Sequence, residues 1–471
     1  MTSLMPALTG STWAAMAIAL GAFLVLFGGL QVYARATGAR PETTRKMFHT
    51  GSGVLTLAFP FLFRQTWPVL VLTGTSALLV SAVKFVPALR DRFGRVANRV
   101  ERTTLGEVYF PISVGLLFWL TRGSHPLLFV IPVLMLTFAD ATCALVGSRY
   151  GMTRYVGASK TLEGSVGFVA VAFLCVHVPL LLWSDVGRAE SLLIAATLAL
   201  LVMLLEGSAW RGLDNLFIPI GGYFLLRAYL PLDAAALLPR LLVTVALVIF
   251  IVLARARTTL EDDSLVAGAF LCYVAWAVMG WRWLVGPLAI VVGYRWLSAP
   301  TPDNSRRMHE VPAVLSVWAA AIGWLTLGRT SGGEAMLFPY TVVFGAHLAM
   351  FGTSRLAFQF PDRPLPLLFW RAVTIGWAIV MVPYVLVTDA TGSNLAGVFG
   401  AIGAIAIGTA AFVLSLSAAA LTAGLGSKVA EPGIRNAPQT ARRWLYQAVA
   451  AGVASVAAWG MAMLASRWMT P

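Results

Sequence analysis

The chain has 471 residues, 59% hydrophobic and 11% charged, with a mean hydropathy of +0.80. That composition excludes a soluble enzyme and defines an all-α, polytopic integral membrane protein. The formal charge of +14 then marks one side of a membrane rather than a nucleic-acid partner, and the three cysteines, Cys143, Cys175 and Cys272, lie in apolar runs without the spacing of a zinc site or a disulfide framework.

About sixteen runs are long enough to be read as transmembrane helices. The first, residues 13–30, has neither a basic leader nor a clear small-residue cleavage site and reads as a retained helix. With both termini outside, most of the 34 Lys and Arg residues fall in loops assigned to the cytoplasm. The protein is expected in a plasma or inner membrane, surrounded by membrane lipids. The sequence sets no oligomeric state.

The first inside loop ends in Arg45-Lys46-Met47-Phe48-His49, which on its own is a positive anchor at a helix start. The second carries Lys84, Arg90, Arg92, Arg95, Arg99 and Arg102, with Val86, Leu89, Phe93, Val96 and Val100 at three- and four-residue steps. It reads equally as an interfacial helix on anionic headgroups or as a solvated basic loop. Gly106-Glu107-Val108-Tyr109-Phe110-Pro111 opens the next span.

Residues 138–168 hold the densest chemistry. Asp140 stands in an apolar run, ~10 Å from the cytoplasmic end of its helix at 1.5 Å per residue. A basic, glycine-rich turn follows (Gly147, Arg149, Gly151, Arg154, Gly157), and then Ser159-Lys160-Thr161-Leu162-Glu163-Gly164-Ser165 at the next helix start. An acid, a flexible loop and a lysine before a helix N-terminus are the parts a metal-bound polyphosphate needs. The bland alternatives are a polar residue at a helix contact and a capped connector, but an ionisable group inside a membrane helix is a functional hypothesis by default. Further on, Glu206-Gly207-Ser208-Ala209-Trp210-Arg211-Gly212 closes one span and Asp214-Asn215 opens another, where each acid or amide is by itself a plain N-cap.

Taken together, these elements resemble the CTP-dependent polyprenol kinases, the dolichol kinase and phytol kinase family. The matches are Arg-Lys-x-x-His at 45–49, Asp-Ala at 140–141, Gly-x-x-x-Gly at 147–151, Lys-Thr-x-Glu-Gly-Ser at 160–165 and Asp-Asn-x-x-x-Pro at 214–219. The resemblance covers roughly the first half of the chain. It implies transfer of the γ-phosphoryl of CTP to the hydroxyl of a polyisoprenoid alcohol (phytol, farnesol or dolichol type) at the cytoplasmic face. Asp140, Lys160, Asp214 and His49 become the expected catalytic residues, with Mg²⁺ on Asp140 and Asp214. Arg45, Lys46, Gly147, Gly151, Ser159, Thr161, Glu163, Gly164, Ser165 and Asn215 become the expected nucleotide and phosphate contacts. The nucleotide element is also similar to that of phosphatidate cytidylyltransferases, the alternative enzyme class, although their second signature is missing from 206–215. A P-loop and a CDP-alcohol phosphotransferase element are absent. A transporter of two repeats is the third reading, and it would require matching intramembrane charges in both halves.

The kinase-like region is expected to end near residue 232, leaving 233–471 as a second membrane half. Glu261, Asp262 and Asp263 read as a solvated acidic turn, and Gly397, Gly400, Gly403 and Gly408 as helix-packing positions. Residues 259–298 faintly resemble the start of the phytyl-phosphate kinase family. The segment 344–353 echoes residues 138–150 without any carboxylate, as a degenerate or duplicated copy would. This half is therefore expected to be catalytically silent.

Overall fold

The computed structural model describes residues 11–39, 41–86, 105–155, 160–255, 258, 260–297, 309–388, 393–422 and 441–469. Their regular structure is helical; β-pairing among them is confined to isolated bridges, Arg154 with Thr161 and Leu260 with His309. The chain divides into two compact units, Met1–Ala256 and Arg257–Pro471, so residues 233–256 pack with the first unit.

The first unit contains α1 (Thr12–Thr37), α2 (Pro41–Thr56), α3 (Thr66–Phe85), α4 (Gly106–Leu120), α5 (Leu127–Tyr150), α6 (Leu162–Trp183), α7 (Arg188–Ser208), α8 (Asp214–Tyr229) and α9 (Ala234–Ala254). The second contains α10 (Asp262–Met279), α11 (Val285–Leu297), α12 (Val311–Ser331), α13 (Gly333–Gln359), α14 (Leu365–Thr388), α15 (Ser393–Thr422) and α16 (Ala441–Met469). Among the described residues twelve helices are long and apolar enough to cross a membrane, rather than about sixteen. The shortfall lies in α2 and α8, of 16 residues each, α4 of 15 and α11 of 13. Helix α2 starts in a polar Pro-Glu-Thr-Thr-Arg-Lys run, α8 starts on Asp214, and α11 follows Gly280, whose φ of +93° ends the preceding helix. These breaks shorten apolar runs that sequence alone joins across.

In the first unit α7 is the most buried span, whereas α1 and α9 keep most of their apolar surface outward, as lipid-facing helices do. Helix α5 is the pivot, packing against α6, α8 and α2. Its middle, Met135–Ala139, is a π-helical turn in which the Asp140 N–H donates to the Met135 carbonyl. Such one-residue expansions re-aim the side chains that follow them and recur at functional sites. Glycines set the depth of the packing. A Cβ on Gly53 of α2 would lie 2.9 Å from Thr137 Cβ, and one on Gly164 of α6 would lie 2.8 Å from the Cys143 carbonyl oxygen. Gly212, at φ +90°, leaves its own Cα face against Gly106, and the Leu105 N–H donates to the Arg211 carbonyl (2.9 Å). The start of α4 is thereby locked to the turn that opens α8.

In the second unit α13 is the core helix, buried along most of its length between α11, α12, α14, α15 and α16. Gly408 and Gly397 face α16 as packing positions should, but Gly400 and Gly403 have open space beside them. The acidic turn expected to be solvated is buried: Asp262 and Asp263 are 4% and 8% exposed at the start of α10, with Asp263 accepting from the N–H of Ser264.

Candidate active site

Five elements converge on Asp140. It follows the π turn of α5, while Asp214 is the first residue of α8 and Glu206 lies at the end of α7. One oxygen from each of these carboxylates lies within 4.8 Å of the others. Like charges at this separation repel by about 3 kcal/mol per pair at an effective dielectric of ~20, so the trio needs cations. One is supplied internally. Lys160, in the loop before α6, places Nζ 2.8 Å from Glu206 Oε1 and also donates to the Glu206 backbone carbonyl. Burial alone would lower the Lys160 pKa, but Glu206, joined by Asp214, more than offsets this and holds it above the usual lysine value.

The fifth element is α2, brought against α5 by the Gly53–Thr137 contact. One turn earlier on α2, His49 Nε2 lies 3.9 Å from Asp140 Oδ2, beyond hydrogen-bond range, and its ring meets Phe110 edge-on at 4.9 Å. Arg45, a further turn back, lies within electrostatic range of both Asp140 and His49. Lys46 is half-buried beside it.

Two buried acceptors here have no hydrogen-bond partner, Glu206 Oε2 and Asn215 Oδ1. Three carboxylates against one bonded ammonium, with a carboxylate oxygen left unsatisfied, form a hard-oxygen donor set that fits Mg²⁺, which takes a few carboxylates together with phosphate oxygens. The fit rests on that chemistry. Glu206 was not expected among the ligands; it ends the apolar run Leu204-Leu205-Glu206, and the only signal for it was the one that singled out Asp140, a carboxylate within a membrane helix.

The remaining expected contacts separate into groups. Thr161 caps α6: its Oγ1 accepts from the Gly164 N–H (3.1 Å), and its carbonyl accepts from the Ser165 N–H (3.1 Å). Glu163 turns back to accept from the Thr153 N–H (3.0 Å), and Ser165 Oγ meets the Tyr155 hydroxyl (2.9 Å). With the Tyr155 N–H donating to the Lys160 carbonyl (2.9 Å), these bonds close the loop between α5 and α6 and deliver Lys160 to Glu206. Gly147 and Gly151 press against Thr161, where a Cβ on Gly147 would lie 2.8 Å from Thr161 Oγ1. In this arrangement Thr161, Glu163, Gly164 and Ser165 hold the loop, while Asp140, Lys160, Asp214, His49, Arg45 and Asn215 surround the cluster. Ser159, Gly157 and the basic segment 87–104 lie outside the described residues. Lys84, at its near edge, is 3.7 Å from Glu107 Oε2. The cysteines are free thiols.

The fold and site define a polytopic, all-helical membrane protein with a half-buried cluster of three carboxylates and a lysine. No family model matches the chain, and no solved structure matches it. The phytol kinase of Synechocystis sp. is 31% identical to it over 185 residues, 38% of this chain and 76% of that protein. The chain belongs to the phytol kinase family.

Proposed function

We propose that this protein is a lipid kinase that transfers the γ-phosphoryl group of CTP to the hydroxyl of a polyisoprenoid alcohol at the cytoplasmic face of its membrane. The observation that carries this reading is the convergence of Asp140, Glu206 and Asp214 on one point beside Lys160, in a chain related to a phytol kinase. Phosphoryl transfer asks a protein for positioning and charge neutralisation more than for covalent chemistry.

Asp140, Glu206 and Asp214 would hold Mg²⁺, whose contribution is to neutralise charge on the nucleotide phosphates. Lys160, the cation beside the three carboxylates, would bind a phosphate oxygen of the nucleotide. Arg45 and Lys46 approach the phosphates from α2. His49, whose Nε2 has no hydrogen-bond partner and lies 3.9 Å from Asp140, would take the proton of the attacking hydroxyl. The alcohol enters from the bilayer with its chain among lipid tails, so that only the hydroxyl reaches the cluster. The second unit lacks a comparable three-acid group among the described residues and serves as a silent membrane partner.

The test is incubation of purified protein with labelled CTP or ATP, Mg²⁺ and phytol, farnesol and a dolichol. Labelled prenyl monophosphate formed from CTP supports the reading; no phosphorylation of any of the three alcohols overturns it.

A further inference from the structure

Helices α3 and α4 pack side by side, and their two ends are finished differently. Beside the active site, Lys84 at the end of α3 is paired with Glu107 at the start of α4. At the far end the pair opens into a cleft of about 510 Å³ lined by Arg64, Gln65, Thr66, Trp67, Trp119 and Arg122. Among the described residues neither guanidinium has a carboxylate or hydrogen-bond partner. Two arginines face one cleft with no acid in its wall.

We propose that this cleft binds the phosphate headgroup of an anionic membrane lipid. Arginine forks match phosphate oxygens bidentately, and two of them without a counter-ion select a ligand with net negative charge. The walls fix the source of that phosphate. Trp67 and Trp119 are 43% and 52% exposed, and indole rings settle at the boundary between headgroups and acyl chains. Trp67 is braced from both sides, edge-on to Trp13 at 5.6 Å and with its Nε1 donating to Gln65 Oε1 at 2.7 Å. Depth points the same way. The 20 residues of α3 rise roughly 30 Å, the thickness of the hydrocarbon core, so a cleft at the start of α3 stands at the boundary between acyl chains and headgroups. On the topology that charge predicts, this is also the side with few basic residues, and two of them meet here.

The experiment compares full-length wild type with the Arg64→Gln/Arg122→Gln variant in bilayer discs of phosphatidylcholine alone or with phosphatidylglycerol. Melting temperature and lipid retained in native mass spectrometry are read together. Wild type should melt higher with phosphatidylglycerol, on the order of 2 °C or more, and retain it; both effects should vanish in the double variant and weaken in Arg64→Lys and Arg122→Lys, which keep charge but lose the fork. An Asp140→Asn variant should keep both effects. Equal retention of phosphatidylglycerol by the double variant, equal retention of phosphatidylcholine by wild type, or the same melting shift from inorganic phosphate would each overturn the proposal.

Discussion

Lys160 is bound twice to Glu206, 46 residues away, through its carboxylate at 2.8 Å and through its backbone carbonyl. With Glu206 4% and Lys160 15% exposed, this is a buried pair, and removing one partner of such a pair costs about 3 kcal/mol or more because the other charge is left uncompensated. Lys160→Met is therefore expected to lower the melting temperature and abolish activity. Millimolar Mg²⁺ should restore part of the lost melting temperature, since a divalent cation replaces the missing charge. An unchanged melting temperature in the variant would show that the pair does not neutralise the cluster.

The pair also sets a pH expectation. Because the folded pKa of Lys160 is raised, its contribution is complete below the ordinary lysine value of ~10.4 and is lost only as pH climbs through the higher folded value. A Lys160→Arg variant, charged throughout, should show the same shape of melting-temperature profile as wild type between about pH 7 and pH 10. A profile that falls in wild type alone would mean that the lysine titrates within that window.

Glu206→Gln is expected to reduce turnover on the order of 100-fold or more while the protein still folds, because glutamine keeps the shape and an acceptor for Lys160. Asp140→Asn and Asp214→Asn should behave alike. Mn²⁺ binding followed by electron paramagnetic resonance gives a second readout, and each of the three variants should weaken it. Normal turnover in Glu206→Gln would remove this residue from the site.

Asp140 and Asp214 were legible in the sequence, the first as a charge inside an apolar run and the second through its Asp-Asn-x-x-x-Pro motif. Glu206 was not, because it closes an apolar run and reads as the polar end of a span; only the fold turns it inward beside Asp140. Residues 160–165 show the opposite error of dimension. A helix start announces free N–H groups, but a linear pattern does not reveal that Thr161 already satisfies those of Gly164 and Ser165. Counting spans has the same weakness, since α2, α4, α8 and α11 have apolar runs whose helices stop short at turns.

Gly212→Ala tests how α8 is delivered. A side chain there must adopt φ +90° and would place its Cβ 2.6 Å from Gly106 Cα. The expected loss is at least 1–3 kcal/mol of stability, with activity falling alongside as Asp214 and Asn215 shift. Full activity at an unchanged melting temperature would show that the Gly106–Gly212 contact does not position them.

The second unit is expected to add no chemistry. Wild-type protein given a prenyl monophosphate, CTP and Mg²⁺ should form no diphosphate. Nucleotide-dependent diphosphate, from wild type or from Asp140→Asn, would assign a catalytic role to residues 257–471.

The most direct test of the central claim follows two labels through one reaction with a prenyl alcohol. With γ-labelled CTP the label should appear on the lipid, and with α-labelled CTP it should remain entirely in CDP. A lipid carrying the α-label, with the γ-label released as pyrophosphate, would make the protein a cytidylyltransferase and contradict the account.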